Sequence, residues 1–149
     1  MATAKQGIVV KKAPISGAPH TQAVRYGSLV FVTGQGPLDL RRARQIRAAR
    51  AAGKIPDSIT NLTFVQQATL TLRNLGKVLR AAGSSLDSML KVTVYLRDLA
   101  YFEEFNRIYR RFFRGNGPLP ARSTVQVARL PFDILLMVDA IAHTRDGRP

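Results

Sequence analysis

The fold is decided by residues 61–98, which read NLTFVQQATLTLRNLGKVLRAAGSSLDSMLKVTVYLRD. The first half repeats apolar residues with the period of a helix that buries one face. These residues are Leu62, Val65, Ala68, Thr69, Leu72, Leu75, Val78, Leu79 and Ala82. Asn61 can cap the start of this helix, and Gly83 can end it. A strand follows over residues 91–96, because residues 92–94 are all β-branched.

Upstream of this helix the sequence favours strands. Residues 8–11, 23–26 and 29–33 are each short and rich in apolar side chains. Between the last two lies Gly27-Ser28, a two-residue hairpin turn with glycine first, as a type II′ turn prefers.

Downstream, a second helix is predicted to begin after Asp98, which can cap it. Its apolar stripe indicates a core-facing helix and consists of Phe102, Phe105, Ile108, Tyr109 and Phe112. The last strands are predicted over residues 123–127 and 135–142. The second of these is apolar almost throughout, so we expect both of its faces to be covered.

This order of elements predicts an α+β fold in which two long helices pack on one face of a mixed sheet. The other face of such a sheet also needs cover, and oligomerisation is the simplest source of it. The length of 149 residues suits one domain over residues 1–149, with residues 1–6 as a flexible end.

Composition excludes several kinds of chemistry. The chain has no cysteine, which excludes disulfides and thiol catalysis, and it has two histidines without a metal-binding motif. No apolar run is long enough to span a membrane and no signal peptide is visible, so we expect a cytoplasmic protein. The formal net charge of +14 favours anionic partners.

Part of this charge lies in residues 39–54, a helix-permissive segment that Gly53 could terminate. Its arginines could contact the phosphates of a nucleic acid, and they are Arg41, Arg42, Arg44, Arg47 and Arg50. The segment has no aromatic residue on which bases could stack, so a solubilising surface helix is the preferred interpretation.

Several motifs match one protein family in order and in nearly the right spacing. They are LVFVTGQ at 29–35, AAGSSL at 81–86, KVTVYLRD at 91–98, FNRIY at 105–109 and PARSTVQVARLP at 120–131. The chain thereby resembles the Rid family, whose name stands for reactive intermediate deaminase and which is also called YjgF, over roughly nine tenths of its length.

The resemblance implies a chorismate-mutase-like fold and a homotrimer with ligand sites in the clefts between subunits. It also implies hydrolysis of small enamines and imines to 2-keto acids and ammonia, without cofactor or metal. The segment 39–54 then stands as a basic insertion in place of a shorter loop.

Arg122 matches the arginine that holds the substrate carboxylate in deaminase members. A guanidinium suits that role because it presents a planar fork of donors and stays charged. Those members also carry a glutamate, fifteen residues further on, that positions the attacking water; here that position is Met137. A thioether cannot take a proton. Asp139 lies on the same face of the strand, about 6.6 Å further along, and is a candidate substitute.

Other family positions complete the predicted cleft. His20 stands where a tyrosine commonly lines it, and a histidine could serve as an acid or base. Gly34 permits close approach of the backbone to a ligand, and Gln35 and Asn106 match further cleft positions. Met137 makes the cleft more apolar.

Three functional hypotheses follow. The first is hydrolysis of a carboxylate-bearing imine or enamine, with Arg122, His20 and Asp139 in the chemistry. The second is a homologue that binds a carboxylate metabolite without deaminating it. The third is a basic nucleic-acid-binding protein.

Overall fold

The computed structural model describes residues 4–56, 58, 61–113, 115 and 117–145. Over these residues the chain forms a six-stranded sheet with helices packed against it. The strands are β1 Gln6–Ile8, β2 Ala23–Tyr26, β3 Leu29–Gln35, β4 Met89–Leu96, β5 Ala121–Gln126 and β6 Leu136–His143. The helices are α1 Leu40–Ala51, α2 Phe64–Ala81 and α3 Phe102–Arg110.

The sheet is mixed, as predicted, with the strand order β1-β2-β3-β6-β4-β5. Neighbouring strands are antiparallel except β4 and β5, which run parallel. A parallel pair needs a crossover connection, and α3 lies in the connection between these two strands. β5 consequently forms one edge of the sheet, a position that matters for the candidate site.

The helix α2 packs against β3 and β6 and supplies much of the core. Leu72, Leu75 and Leu79 are fully buried, as the 3.6-residue period predicts. The N-cap is Thr63 and not Asn61 as predicted, because Thr63 and Gln66 form a reciprocal capping box. Gly83 follows the helix with a φ of 78°, the left-handed conformation that a terminating glycine adopts.

The second predicted helix is shorter than expected. Asp98 accepts a hydrogen bond from the backbone N–H of Ala100, and the cap opens a three-residue 3-10 turn, Leu99–Tyr101. The α-helical part, α3, then has nine residues against eighteen in α2. Both helices pack against each other, and Phe105 of α3 is fully buried in the shared core.

At the N-terminus, the predicted strand 8–11 is wrong in position, because β1 comprises Gln6–Ile8 and pairs with β2. The buried side chain of Gln22 explains the shift. It accepts from the backbone N–H of Val10 at 2.6 Å and donates to the carbonyl oxygens of Ala13 and Pro14. Residues 10–14 are therefore held by hydrogen bonds to this side chain and do not pair with a neighbouring strand. Of the predicted flexible end, residues 1–3 lie outside the described residues, while Gln6 belongs to β1.

The basic segment forms α1, with Asp39 as N-cap and Gly53 after its end. The helix is only partly a surface element, since Ala43 and Ile46 are buried. Partial burial would raise the pKa of Asp39, but hydrogen bonds and charge from Arg42 outweigh it and lower the pKa.

Three of the five arginines of α1 make contacts within the chain. Arg42 pairs with Asp39, Arg47 packs against Gly17 in the loop before β2, and the Arg50 guanidinium lies 6.0 Å from the ring centroid of Phe132. Arg41 and Arg44 are exposed. Because most of its arginines make contacts within the chain, α1 does not support the nucleic-acid hypothesis.

The outer face of α2 is basic and hydrophilic. Arg73, Lys77 and Arg80 are exposed at intervals of four and three residues, so they share one side of the helix.

Among the described residues, no helix combines the length and the apolar character needed to cross a lipid bilayer.

Candidate functional site

Arg122 lies on the edge strand β5 and points toward the helical layer. Its partner in the parallel register is Val92, a fully buried residue of the helix-facing side of β4. The guanidinium carbon lies over an aromatic platform on α3. Its distances to the ring centroids are 5.6 Å for Phe102, 5.8 Å for Phe105 and 5.2 Å for Tyr109.

A hydrogen bond fixes one edge of this guanidinium. The Nη2 of Arg122 donates to the Oδ1 of Asn106 at 2.6 Å, and the amide nitrogen of Asn106 donates to Glu103 at 3.4 Å. Asn106 borders an open hollow of about 520 Å³, which is lined also by Glu103, Arg107, Arg110 and Arg111. A guanidinium has five N–H donors, so donors remain for an anionic ligand that approaches from the cleft side.

One polar group of the platform and one on β5 lack hydrogen-bond partners. The hydroxyl of Tyr109 and the Oγ1 of Thr124 are buried without a hydrogen-bond partner. Burial raises the pKa of Tyr109 to about 12, although the positive charge of Arg122 acts in the opposite direction. Tyr109 therefore stays neutral under physiological conditions and can contact the guanidinium only through its ring and as an uncharged phenol.

A second group of predicted residues surrounds a β-bulge in β3. Val32 pairs with Ala140 and Gln35 pairs with Val138, so β3 has one more residue than β6 in this interval. The bulge turns Gln35 into the interior, where it is 5% exposed, and leaves Gly34 against β6.

Gly34 and Met137 are in close contact. A Cβ added at Gly34 would lie 2.6 Å from the sulfur of Met137 and 3.0 Å from its Cγ. The methionine side chain therefore occupies the space that the missing side chain of Gly34 leaves open. In this chain, the close approach that Gly34 permits is used by Met137.

His20 lies at the rim of a small hollow of about 50 Å³ on the same side of the chain as the bulge. The lining includes Gly34, Gln35 and the loop residues Pro14, Ile15 and Ser16. The His20 side chain is exposed. In the described part of the chain, no group of three or more metal-ligating side chains forms around this histidine or anywhere else.

Asp139 is engaged by a neighbour that the sequence did not indicate. The hydroxyl of Tyr95 donates to its Oδ2 at 2.9 Å, across the pairing of β4 with β6. This hydrogen bond to the carboxylate, together with burial, raises the pKa of Tyr95. Arg129, another conceivable partner of Asp139, lies instead within 4.0 Å of Asp133.

The predicted site residues therefore form two groups on opposite faces of the sheet. Arg122 pairs in register with Val92, which in turn pairs with Ala140, and the side chains of this row face the helices. Met137 and Asp139 alternate with the buried residues of β6 and so face the other way. Within one chain the structure joins Arg122 to Asn106, and Gly34 to Met137, but it does not join the two groups.

Sequence reasoning missed the platform under Arg122. The spacing of Phe102, Phe105 and Tyr109 correctly indicated a core-facing stripe. Nothing in that spacing identifies the cation above it, because Arg122 reaches the stripe only through the parallel pairing of β5 with β4.

The chain is similar to known proteins over nearly its whole length. The model of the family described as endoribonuclease L-PSP matches residues 10–144. A RutC family protein of Pyrococcus abyssi is 36% identical over 140 residues, which cover 94% of this chain and 98% of that protein. TdcF of Escherichia coli K12, a putative reactive intermediate deaminase by name, is 37% identical over 139 residues, which cover 93% and 96%.

The fold comparison agrees with the sequence comparison. The crystal structure of Escherichia coli TdcF with bound serine superposes with a TM-score of 0.75 at 36% identity, covering 93% of this chain and 98% of that one. Family model, relatives and solved structure all span nearly the whole chain. The chain therefore belongs to the Rid family, the endoribonuclease L-PSP family of the matching model.

Proposed function

We propose that this protein hydrolyses a small imine or enamine that carries a carboxylate, with Arg122 as the carboxylate clamp. The observation that carries the proposal is the position of the Arg122 guanidinium on three aromatic rings, with one edge bonded to Asn106. A guanidinium held in this way is oriented before the ligand arrives, which lowers the ordering cost of binding. The putative deaminase name of TdcF, a relative at 37% identity, favours the same reaction class.

The reaction needs little from the protein beyond orientation and proton transfer. Water adds to the carbon of the protonated imine, and a proton moves from the added oxygen to the nitrogen. The carbon–nitrogen bond of the resulting N-protonated carbinolamine then breaks while its hydroxyl loses a proton, which releases ammonia and a proton (together an ammonium ion) and leaves the 2-keto acid. A group that accepts a proton from the water accelerates the addition. Candidates for that group are His20 and Asp139.

The proposed site requires a second copy of the chain. Arg122 faces the helical layer, whereas Met137 and Asp139 face the opposite side of the sheet. A homotrimer would place the Arg122 group of one copy opposite the Gly34 and His20 group of the next. The exposed apolar side chains on that open face, such as Phe31 at 42% and Val125 at 43%, favour such an assembly.

A second candidate function is binding of a carboxylate metabolite without turnover. It is favoured by the contact between Met137 and Gly34, because a thioether fills the position that carries the water-positioning glutamate in deaminase members. Asp139, the acid on that face, already accepts a hydrogen bond from Tyr95, which also favours binding without turnover.

The test is hydrolysis of 2-iminopropionate and 2-iminobutyrate, generated in place by an amino-acid oxidase, with the wild type and with Arg122→Ala. We expect a rate above background that falls about a hundredfold in the variant, since a charge-assisted bidentate contact is lost. Arg129→Ala, which removes an exposed arginine seven residues away, is the matched control and keeps the rate.

Two other outcomes separate the candidates. A wild type without turnover that still binds 2-ketobutyrate, with binding lost in Arg122→Ala, supports the second function. A rate that Arg122→Ala leaves unchanged refutes the clamp.

A further inference from the structure

The outer surface of the helical layer contains a second groove, which shares Arg111 but no other lining residue with the hollow beside Asn106. The groove measures about 440 Å³ and lies between α2 and α3. Its lining comprises Val65, Thr69, Arg73, Ile108, Arg111 and Phe112. Of these residues, Ile108 lies in α3 and Arg111 and Phe112 follow its end. Arg122 lies elsewhere, over the rings of Phe102, Phe105 and Tyr109.

Two of the residues that line this groove, Arg73 and Arg111, are arginines, and further bases lie on the same two helices. The helix α2 contains no Asp or Glu, and it exposes Arg73, Lys77 and Arg80. The C-terminal end of α3 adds Arg111, which lines the groove, and Arg107 and Arg110, which line the neighbouring hollow beside Asn106. Across the described residues, none of these six bases takes part in an ion pair. Their charges are therefore available to an external anion.

The floor of the groove is apolar. Val65 is the one large hydrophobic residue of α2 that is exposed, at 43%, while every other large apolar side chain of that helix is more buried. Phe112 is half-buried and Ile108 is 5% exposed. An apolar floor between two arginines suits a ligand that offers apolar side chains on one face and carboxylates beside them.

We propose that this groove docks an acidic amphipathic segment of another protein. Such a helix would place apolar side chains on Val65 and Phe112 and acidic side chains against Arg73 and Arg111. A nucleic acid would use the arginines but not the floor, because its outer surface is phosphate. The groove lies on the helical side of the sheet and not on its open face.

The probe is a synthetic helical peptide of about 15 residues with leucines on one face and glutamates on its flanks. Binding is measured by fluorescence anisotropy at about 150 mM salt. We expect the double variant Arg73→Glu/Arg111→Glu to weaken binding about tenfold or more, since both rim charges are reversed. The matched control is Arg41→Glu/Arg44→Glu, which reverses two exposed arginines of α1 and changes the net charge by the same amount. We expect it to keep an affinity close to that of the wild type.

Further variants and probes decide between charge alone and a docking groove. Val65→Asp tests the floor and also weakens binding, and the peptide with the same composition in scrambled order binds less well than the amphipathic one. Equal losses in the two double variants, or equal affinity for the scrambled peptide, would overturn the proposal. A single-stranded RNA of equal charge that binds more tightly, and loses affinity in the groove variant, would replace the protein partner with nucleic acid. Circular dichroism confirms that each variant is folded.

Discussion

Asn74 offers a direct test of how the chain holds the segment that follows the β-bulge. The residue lies in α2 and is 1% exposed. Its Nδ2 donates to the carbonyl oxygen of Gly36 at 3.0 Å and to that of Leu38 at 2.7 Å. Since Gly34 and Gln35 immediately precede this segment, the two bonds also fix the end of the strand that carries them. Replacing Asn74 with alanine removes both bonds.

The expected cost follows from these contacts. Each hydrogen bond contributes about 1 kcal/mol net, so the loss is about 2 kcal/mol. Alanine is the better helix former by roughly 0.5 kcal/mol, which leaves a net loss of about 1.5 kcal/mol. Gly36 keeps part of its bonding, because its carbonyl also accepts the backbone N–H of Leu38. For a chain of this size the loss corresponds to a fall in Tm of about 3–6 °C.

The assay is urea and thermal denaturation of wild type and Asn74→Ala at one fixed protein concentration, because any assembly makes Tm concentration-dependent. Asn61→Ala is the matched control, since Asn61 is exposed and precedes α2. Its expected change lies within about 0.5 kcal/mol. A destabilisation of Asn74→Ala no larger than that of the control would refute the inferred role of the two hydrogen bonds.

Three further predictions concern the site and α1. Met137→Glu should raise the rate of imine hydrolysis about tenfold or more, because the glutamate supplies a proton acceptor opposite Gly34. Met137→Gln, which is equal in length but cannot take the proton, should not raise it. Equal rates in the two variants would contradict the argument. In an absorbance titration at alkaline pH, the last phenol to ionise should be Tyr109, with a pKa of about 12, and its ionisation step should be missing in Tyr109→Phe. Because folding raises this pKa, the contribution of Tyr109 to stability is complete below about pH 10 and is lost as the pH rises through about 12. Asp39→Ala should destabilise the protein by about 1 kcal/mol, because it removes the N-cap hydrogen bond to Arg42. The measurement is urea denaturation. The control is Asp39→Asn, which can still cap the helix and should retain most of the stability.

Much of the fold was predictable because the deciding signals are local. β2 matches its predicted bounds, and α2 lies within the predicted periodic stretch. The glycines that follow α1 and α2 have the positive φ expected at helix ends. Boundaries failed where a side chain from elsewhere in the sequence intervened, as Gln22 does for residues 10–14.

The sequence by itself determined the elements, their alternation and the family motif that contains Arg122, since each depends on neighbouring residues. Only the tertiary structure decided which side chains meet. It placed Arg122 on the helical face and Met137 and Asp139 on the other, a consequence of strand register across β4, β5 and β6. Residues on one face of a sheet are set by pairing between distant segments, and a one-residue change of register would exchange the faces. That long-range pairing has no counterpart in the local pattern of the chain.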